Sequence, residues 1–284
     1  MRLVEITDHR NCVPFIPLWD IHWEDNLCDR DRFYRTVKEI KRRGAWTGLG
    51  GDALAMNWDH SVRSMAETRG KRLAVEIDAL VDILSTIKEL ITFGIDGNHE
   101  EAGVREGNLS LIEVMCNRLE VPYCGDSAVL SFHIGTNAGR KARHNPIIYA
   151  THGVGGGSME GATLNTVAKL KKEFIGADAY ICGHTHSPAT DDVEPWELVR
   201  ATRGAEREYL RQKNVLSVNA GSFQLNRIPE VLPEAEKEKG WHPLLVGGFA
   251  SKKGFTPQPT GAPLIILRST AEGFTITRPT KQVA

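Results

Sequence analysis

Apolar positions follow two rhythms along this chain, and the switches between them predict alternating strands and helices. Val13–Trp19 is almost continuously apolar and predicts a buried strand. Over Asp29–Arg43, Phe33, Val37 and Ile40 recur at helical spacing among charges, so a surface helix is expected, opened by a residue type that caps N-termini well. Ala45–Gly50 then predicts a short strand and Arg72–Leu90 a longer helix, striped by Leu73, Ile77, Leu80, Val81 and Leu84. Ile91–Asp96 predicts the next strand, and a helix is expected near Leu109–Leu119. Strands follow at Ala128–Ile134, Pro146–Ala150 and Ala179–Cys182, with a helix near Gly161–Phe174 between the last two. Shorter strands are expected at Leu216–Asn219, Leu244–Val246, Pro263–Leu267 and Phe274–Thr277. The expected fold class is α/β, two packed mixed β-sheets flanked by helices, with loops at the carboxyl ends of strands carrying the chemistry.

Composition narrows this picture without redirecting it. A chain of 284 residues, 41% hydrophobic and 25% charged, has enough material for a sizeable core. Candidate site residues are spread from Asp20 to His186 and must converge, so one domain over residues 1–284 is expected. The net charge of −1 argues against a generic polyanion binder, though not against a local basic groove. The five cysteines are scattered, odd in number and lack a Cys-x-x-Cys pair, which points to reduced thiols in the cytoplasm. Met1–Cys12 lacks the apolar centre of a secretion signal, and no apolar run reaches the length of a membrane span. No membrane partner is expected.

Five short segments concentrate the chemistry: Asp20-Ile21-His22, Gly51-Asp52, Gly97-Asn98-His99-Glu100, Thr151-His152-Gly153 and Gly183-His184-Thr185-His186. They offer two carboxylates, one amide and four imidazoles as ligands, with His99 to spare. One ion cannot use so many ligands and still admit a substrate. Two ions sharing a carboxylate can, and such a pair, about 3.5–4 Å apart, suits in-line displacement at phosphorus. Asp20 and His22 would point the same way if the chain stayed extended there. Taken singly, Asp-x-His or Gly-Asp is an ordinary loop sequence; the ordered set is not.

Those five motifs, in that order, resemble the calcineurin-like metallophosphoesterase superfamily. The resemblance covers about the first two thirds of the chain and is nearest to small bacterial and phage-encoded members beside the repair nucleases. It implies a four-layer sandwich of helices and sheets. It also implies that one metal takes Asp20, His22, Asp52 and His186 and the other takes Asp52, Asn98, His152 and His184. His99 would protonate the leaving oxygen, and Glu100, where the family more often has Asp, would orient it. Two divalent cations, Mn2+ first and Fe, Zn, Ni or Co as alternatives, would lower the pKa of water and supply hydroxide for attack. The expected activity is hydrolysis of a phosphate ester, foremost a phosphodiester in a nucleic acid or nucleotide. A phosphomonoesterase is the runner-up, and a non-catalytic scaffold that keeps the fold is the alternative from another class. Ala53-Leu54-Ala55-Met56-Asn57 after Gly51-Asp52 lacks the Asp-Arg-Gly continuation of protein Ser/Thr phosphatases.

Weaker signals complete the reading. The glycine run after His152 lacks the Gly-Lys-[Ser/Thr] ending of a nucleotide loop and reads as a turn beside the site. Arg105 is a candidate contact for a substrate phosphate. Asn219-Ala220-Gly221-Ser222-Phe223 follows a strand and resembles a segment that closes this fold near the site. Arg200, Arg203, Arg207, Arg211 and Lys213 are interleaved with glutamates in an expected hairpin, either a salt-bridged surface or a wall that tracks phosphates. Gly139–Arg143 is a second basic patch with the same two readings.

Overall fold

The structure is a computed structural model. It describes residues 1–25, 27–54, 66–101, 110–135, 145–155, 160–199, 209–225, 227–229, 245–247, 259–270 and 273–277. The expected basic patch at Gly139–Arg143 and Arg105 lie outside the described residues, as do Arg200, Arg203 and Arg207.

The chain folds as a mixed α/β structure around one six-stranded sheet. Its strands, in spatial order, are β1 (Arg2–Asp8), β5 (Ser127–Ile134), β6 (Ile147–Thr151), β7 (Ala179–Cys182), β11 (Val215–Asn219) and β8 (Ala189–Val193). β6, β7 and β11 run parallel, so their carboxyl ends share one rim. β1 was not expected as a strand. Its charges, Arg2, Glu5 and Asp8, at every third position, belong to an edge strand paired on one side only, parallel to β5.

A three-stranded sheet joins β2 (Cys12–Phe15) to β14 (Ile265–Thr270) and β15 (Gly273–Thr277). A parallel pair joins β3 (Thr47–Leu49) to β4 (Ile91–Gly94). The apolar run expected as one strand over Val13–Trp19 is divided after Phe15, where Pro17 has no N–H to give a ladder. Its later half still docks on β3, with Ile16 N donating to Trp46 O and Leu18 N to Gly48 O.

Helices form where the apolar spacing placed them. In α1 (Arg30–Arg43) the Asp29 side chain accepts from Arg32 N, and Gly44, at φ 57°, closes the C-terminus. α2 (Ala66–Ser85) begins and ends earlier than expected. Ser85 Oγ bonds back to Val81 O and Thr86 Oγ1 to Ile83 O, side-chain bonds that compete with the helical ladder, and a 3-10 turn follows at Lys88–Leu90. α3 (Leu111–Leu119) starts at Ser110, whose hydroxyl accepts from Glu113 N. α4 (Glu160–Glu173) precedes β7.

Strand alternation sorts the core into three clusters. Leu130, Phe132, Ile148, Ala150, Ile181 and Val218 of the large sheet meet Val13, Phe15, Phe93 and Ile265. Residues of opposite parity, Val129, Tyr149 and Tyr180, pack with Leu170 of α4. Phe33, Ile40, Leu80, Leu84, Ile112 and Met115 of the first three helices pack with Ile16, Leu18 and Leu49.

A further hairpin arm extends from the large sheet. β9 (Trp196–Val199) pairs with β10 (Tyr209–Gln212), and its register continues that of β8 with β11, from Val193↔Val215 to Trp196↔Gln212. A last antiparallel pair joins β12 (Arg227–Pro229) to β13 (Leu245–Gly247). The described cysteines are all unpaired, with only Cys12 exposed. Among the described residues no helix is long and apolar enough to cross a membrane.

Candidate metal centre

Every motif residue sits just past the carboxyl end of a strand, and backbone bonds lay the loops against one another. Asp20 N donates to Gly51 O, His22 N to Asp52 O and Trp23 N to Ala53 O, so the first two motifs run side by side. Gly183 N donates to His152 O, joining the last two. Gly51, at φ 87°, lies so close to the third motif that a Cβ there would stand 2.5 Å from Gly97 N. A Cβ on Gly97 would in turn collide with the Asp52 carboxylate. The glycine before Asp52 thus serves the close approach its position suggested.

The backbone is not extended at Asp20 and His22, as the sequence reading assumed. Their φ angles are 49° and 50°, in the left-handed region. Asp52 (48°), His184 (68°) and His186 (55°) share this conformation; among the described residues the sixth non-glycine residue of the kind is Glu120, at the end of α3. Such residues cost of order 1–3 kcal/mol each and persist only where surroundings enforce them. Five of the six are motif residues.

Their side chains converge in two groups with one residue in common. Asp20, His22, Asp52 and His186 offer ligand atoms all within 4.8 Å of one another, and so do Asp52, His152 and His184. In the first group, His22 Nε2 faces His186 Nε2 at 3.1 Å, and Asp20 Oδ1 lies 3.3 Å from His186 Nε2. That Asp20 oxygen is buried and has no hydrogen-bond partner, while Oδ2 accepts from His184 N. In the second, His152 Nδ1 lies 2.9 Å from Gly50 O, and that carbonyl can only accept. The ring's proton is therefore on Nδ1, and Nε2 offers its lone pair to the cluster. Around Nε2 stand Asp52 Oδ2 at 3.3 Å, Asn98 Oδ1 at 3.0 Å and His184 Nδ1 at 3.3 Å. Asn98 Oδ1 is also 2.7 Å from His184 Nδ1. Lone pairs facing one another at these distances need a positive charge between them, either a proton or a cation.

The titration of the buried groups follows from that crowding. Burial alone would lower His152, but its bond to Asp52 and the charges of Asp20 and Asp52 raise it to about 10. His22 is driven down to about 3 by burial and by His186. His184 is lowered by burial and His152. Burial opposes ionisation of Asp20 and Asp52, yet the neighbouring imidazole, His186 in one case and His152 in the other, holds each below the usual carboxylate range. Hard carboxylate and amide oxygens with imidazole nitrogens make a donor set that fits divalent first-row cations.

His99 belongs to neither group. It is half-buried, its Nε2 is 3.8 Å from Asp52 Oδ2, its ring meets His22 edge to face, and its backbone N–H donates to Asp52 Oδ1. Asn98 is exposed, and His184 and His186 are partly so, which gives the cluster an open side next to His99. Glu100 is engaged differently from the orienting contact to His99 that was expected. It is fully buried, and its two oxygens accept from four backbone N–H groups: Asp52 and Gly97 on Oε2, Ala53 and Leu54 on Oε1. Burial and the Asp52 charge push this carboxyl up to about 8, against those four donors.

Sequence reasoning gave only slight weight to the segment after β11, which touches both halves of the centre. Asn219 Nδ2 donates to Gly183 O at 2.8 Å, and Ser222 Oγ donates to Asp20 O at 2.9 Å. The hairpin arm lies elsewhere. Its supporting strands pair Ala189 with Asn219 at the centre's end of the sheet and run away from it, so Trp196 is roughly 20 Å distant along the strand. Arg200, Arg203 and Arg207, on which the phosphate-tracking reading turned, lie outside the described residues. No protein-family model matches the chain, and no curated protein shows significant similarity to it.

Proposed function

We propose that the chain is a dinuclear metal-dependent phosphoesterase of the calcineurin-like type, acting on a phosphodiester such as a nucleic acid or nucleotide. The observation that carries this reading is the sharing of Asp52 between two buried ligand groups, with the His99 imidazole, a member of neither group, beside that carboxylate. The three core clusters support the four-layer arrangement that goes with such a centre.

In this reading Asp20, His22, Asp52 and His186 hold one cation, and Asp52, Asn98, His152 and His184 the other. When bound, a pair of Mn2+ or similar ions lowers the pKa of a water and offsets charge on the phosphoryl oxygens. Gly50 O fixes the His152 tautomer, so that its Nε2 is available for ligation without rearrangement. His99 donates a proton to the departing oxygen, a role that suits a half-buried imidazole beside the Asp52 carboxylate. Glu100 holds the Asp52 and Gly97 loops together and does not touch the reacting atoms. No cysteine belongs to either ligand group, and burial pushes the Cys28, Cys116 and Cys182 thiols up to about 12.

Hydrolysis of bis-p-nitrophenyl phosphate against p-nitrophenyl phosphate tests this, after chelation and with Mn2+ restored. The expected result is metal-dependent turnover that favours the diester and is abolished in Asp52→Asn. His99→Ala should keep its metals and lose rate. Preference for the monoester would replace the diester assignment with the phosphomonoesterase. No turnover of either ester with any divalent cation would overturn the enzymatic reading.

A further inference from the structure

The loop Gly183–His186 carries two left-handed ligand residues around a tight turn. Thr185 N donates to Gly183 O at 2.8 Å across His184, whose φ is 68°. This is the bonding pattern of a γ-turn with a positive-φ residue at its apex, the rarer and less stable hand. His186, two residues on, is again left-handed. The strain has a consequence for both ligand groups, because His184 belongs to one and His186 to the other.

Asn219 straddles this turn. Its side chain is buried, and Nδ2 donates to Gly183 O at 2.8 Å and to Thr185 Oγ1 at 3.0 Å, the two residues on either side of His184. Its Oδ1 accepts from Gly221 N at 3.0 Å, which fixes the amide's orientation. Ala220 N, next in the chain, donates to Cys182 O, so the backbone on both sides of the amide is held as well. Ser222 makes a different attachment. Its Oγ and Phe223 N both donate to Asp20 O, so its direct contact is with the first ligand group, and it reaches the second only through the bond from His184 N to Asp20 Oδ2.

We propose that Asn219 is a positioning residue that keeps the His184 turn closed before any metal arrives and so sets one imidazole in each ligand group. The inference rests on the metal-centre reading and adds a coupling to it: a single amide, not itself a ligand, governs the affinity of both sites together. Ser222 governs one directly.

Titration of metal-free protein with Co2+ alone, followed by calorimetry and by the visible absorption of the bound ion, tests the coupling. Asn219→Asp keeps the acceptor for Gly221 N and removes both donors to the turn. It is expected to weaken both binding steps about 10–100-fold, the usual effect of a group that orients a ligand, and to alter the Co2+ spectrum. Ser222→Ala is expected to weaken one step and leave the other within about twofold. Hydrogen exchange on the wild-type chain supplies a check that survives misfolding of a variant: the Thr185 N–H should be protected without metal. Rapid exchange of that N–H until Co2+ is added would overturn the proposal, since the turn would then be closed by the metal. Wild type that binds two equivalents, with Asn219→Asp matching it in both steps and in spectrum, would remove the coupling and leave the metal centre standing. Wild type that takes up no divalent cation would remove the metal centre and the coupling with it.

Discussion

Glu100 offers the sharpest perturbation, because its two oxygens serve four buried N–H donors. Glu100→Gln keeps shape and volume but turns one oxygen into an NH2 group. Whichever oxygen is replaced, two backbone donors lose their acceptor: those of Asp52 and Gly97, or those of Ala53 and Leu54. Each buried N–H left unmatched costs about 1–3 kcal/mol. The expected loss is therefore about 2–6 kcal/mol, a large share of the ~5–15 kcal/mol that holds a typical domain together. Urea unfolding of metal-free protein at pH 6 measures it. At that pH the carboxyl, which burial pushes up to about 8, is neutral like the amide, so the comparison carries no cost of a buried charge that the variant would escape. The midpoint should fall with little change in slope. A loss below about 1 kcal/mol would refute the reasoning, because it would mean the loops do not depend on a carboxyl that accepts through both oxygens.

Metal affinity should depend on pH through His152, which holds its extra proton up to about 10 in the metal-free chain. A cation must displace that proton, so affinity falls as pH falls below about 10, by up to tenfold per unit while one proton is displaced. His22, at about 3, is already neutral and adds nothing to this slope near neutrality. Calorimetry in buffers of different ionisation enthalpy should record close to one proton released at pH 7; none released would contradict the assignment. Gly97→Ala should cost about 1–3 kcal/mol and reduce metal uptake, because its methyl would collide with the Asp52 carboxylate. Unchanged thermal unfolding and metal content in that variant would show that the two loops do not need to lie so close.

Much of the centre was legible because its residues follow apolar strands, and burial of those strands leaves their carboxyl ends little freedom. Thus the positions of Asp52 after β3, His152 after β6 and His184 after β7 could be anticipated from residue type and order. Backbone conformation could not. Aspartate and histidine carry no mark that they will adopt φ near 50°, so the geometry at Asp20 and His22 was expected to be extended and is left-handed. The arm was only partly readable. The hairpin was foreseen, but Asp191, Asp192 and Glu194 hide β8, which extends the same hairpin ladder by pairing with β11. β1 was likewise hidden by its charges. Glu100 and Asn219 illustrate a third limit: a side chain that bonds to backbone N–H or C=O groups leaves no partner residue type in the sequence to reveal it.

The bond from Ser222 to the Asp20 carbonyl spans 202 residues. At the usual ~5–20 residues per second of synthesis, the first motif leaves the ribosome roughly 10–40 s before the segment that fixes it exists. During that interval the six-stranded sheet also lacks β11, which carries Asn219 at its end. A nascent chain therefore displays its aspartates and histidines as separate, loosely held side chains, and a tight pocket forms only after the late strand docks. If the centre holds metal as proposed, its capture would come among the last events in the maturation of the protein, and a chain stopped short of residue 219 would carry every candidate ligand and still lack the means to hold them in place.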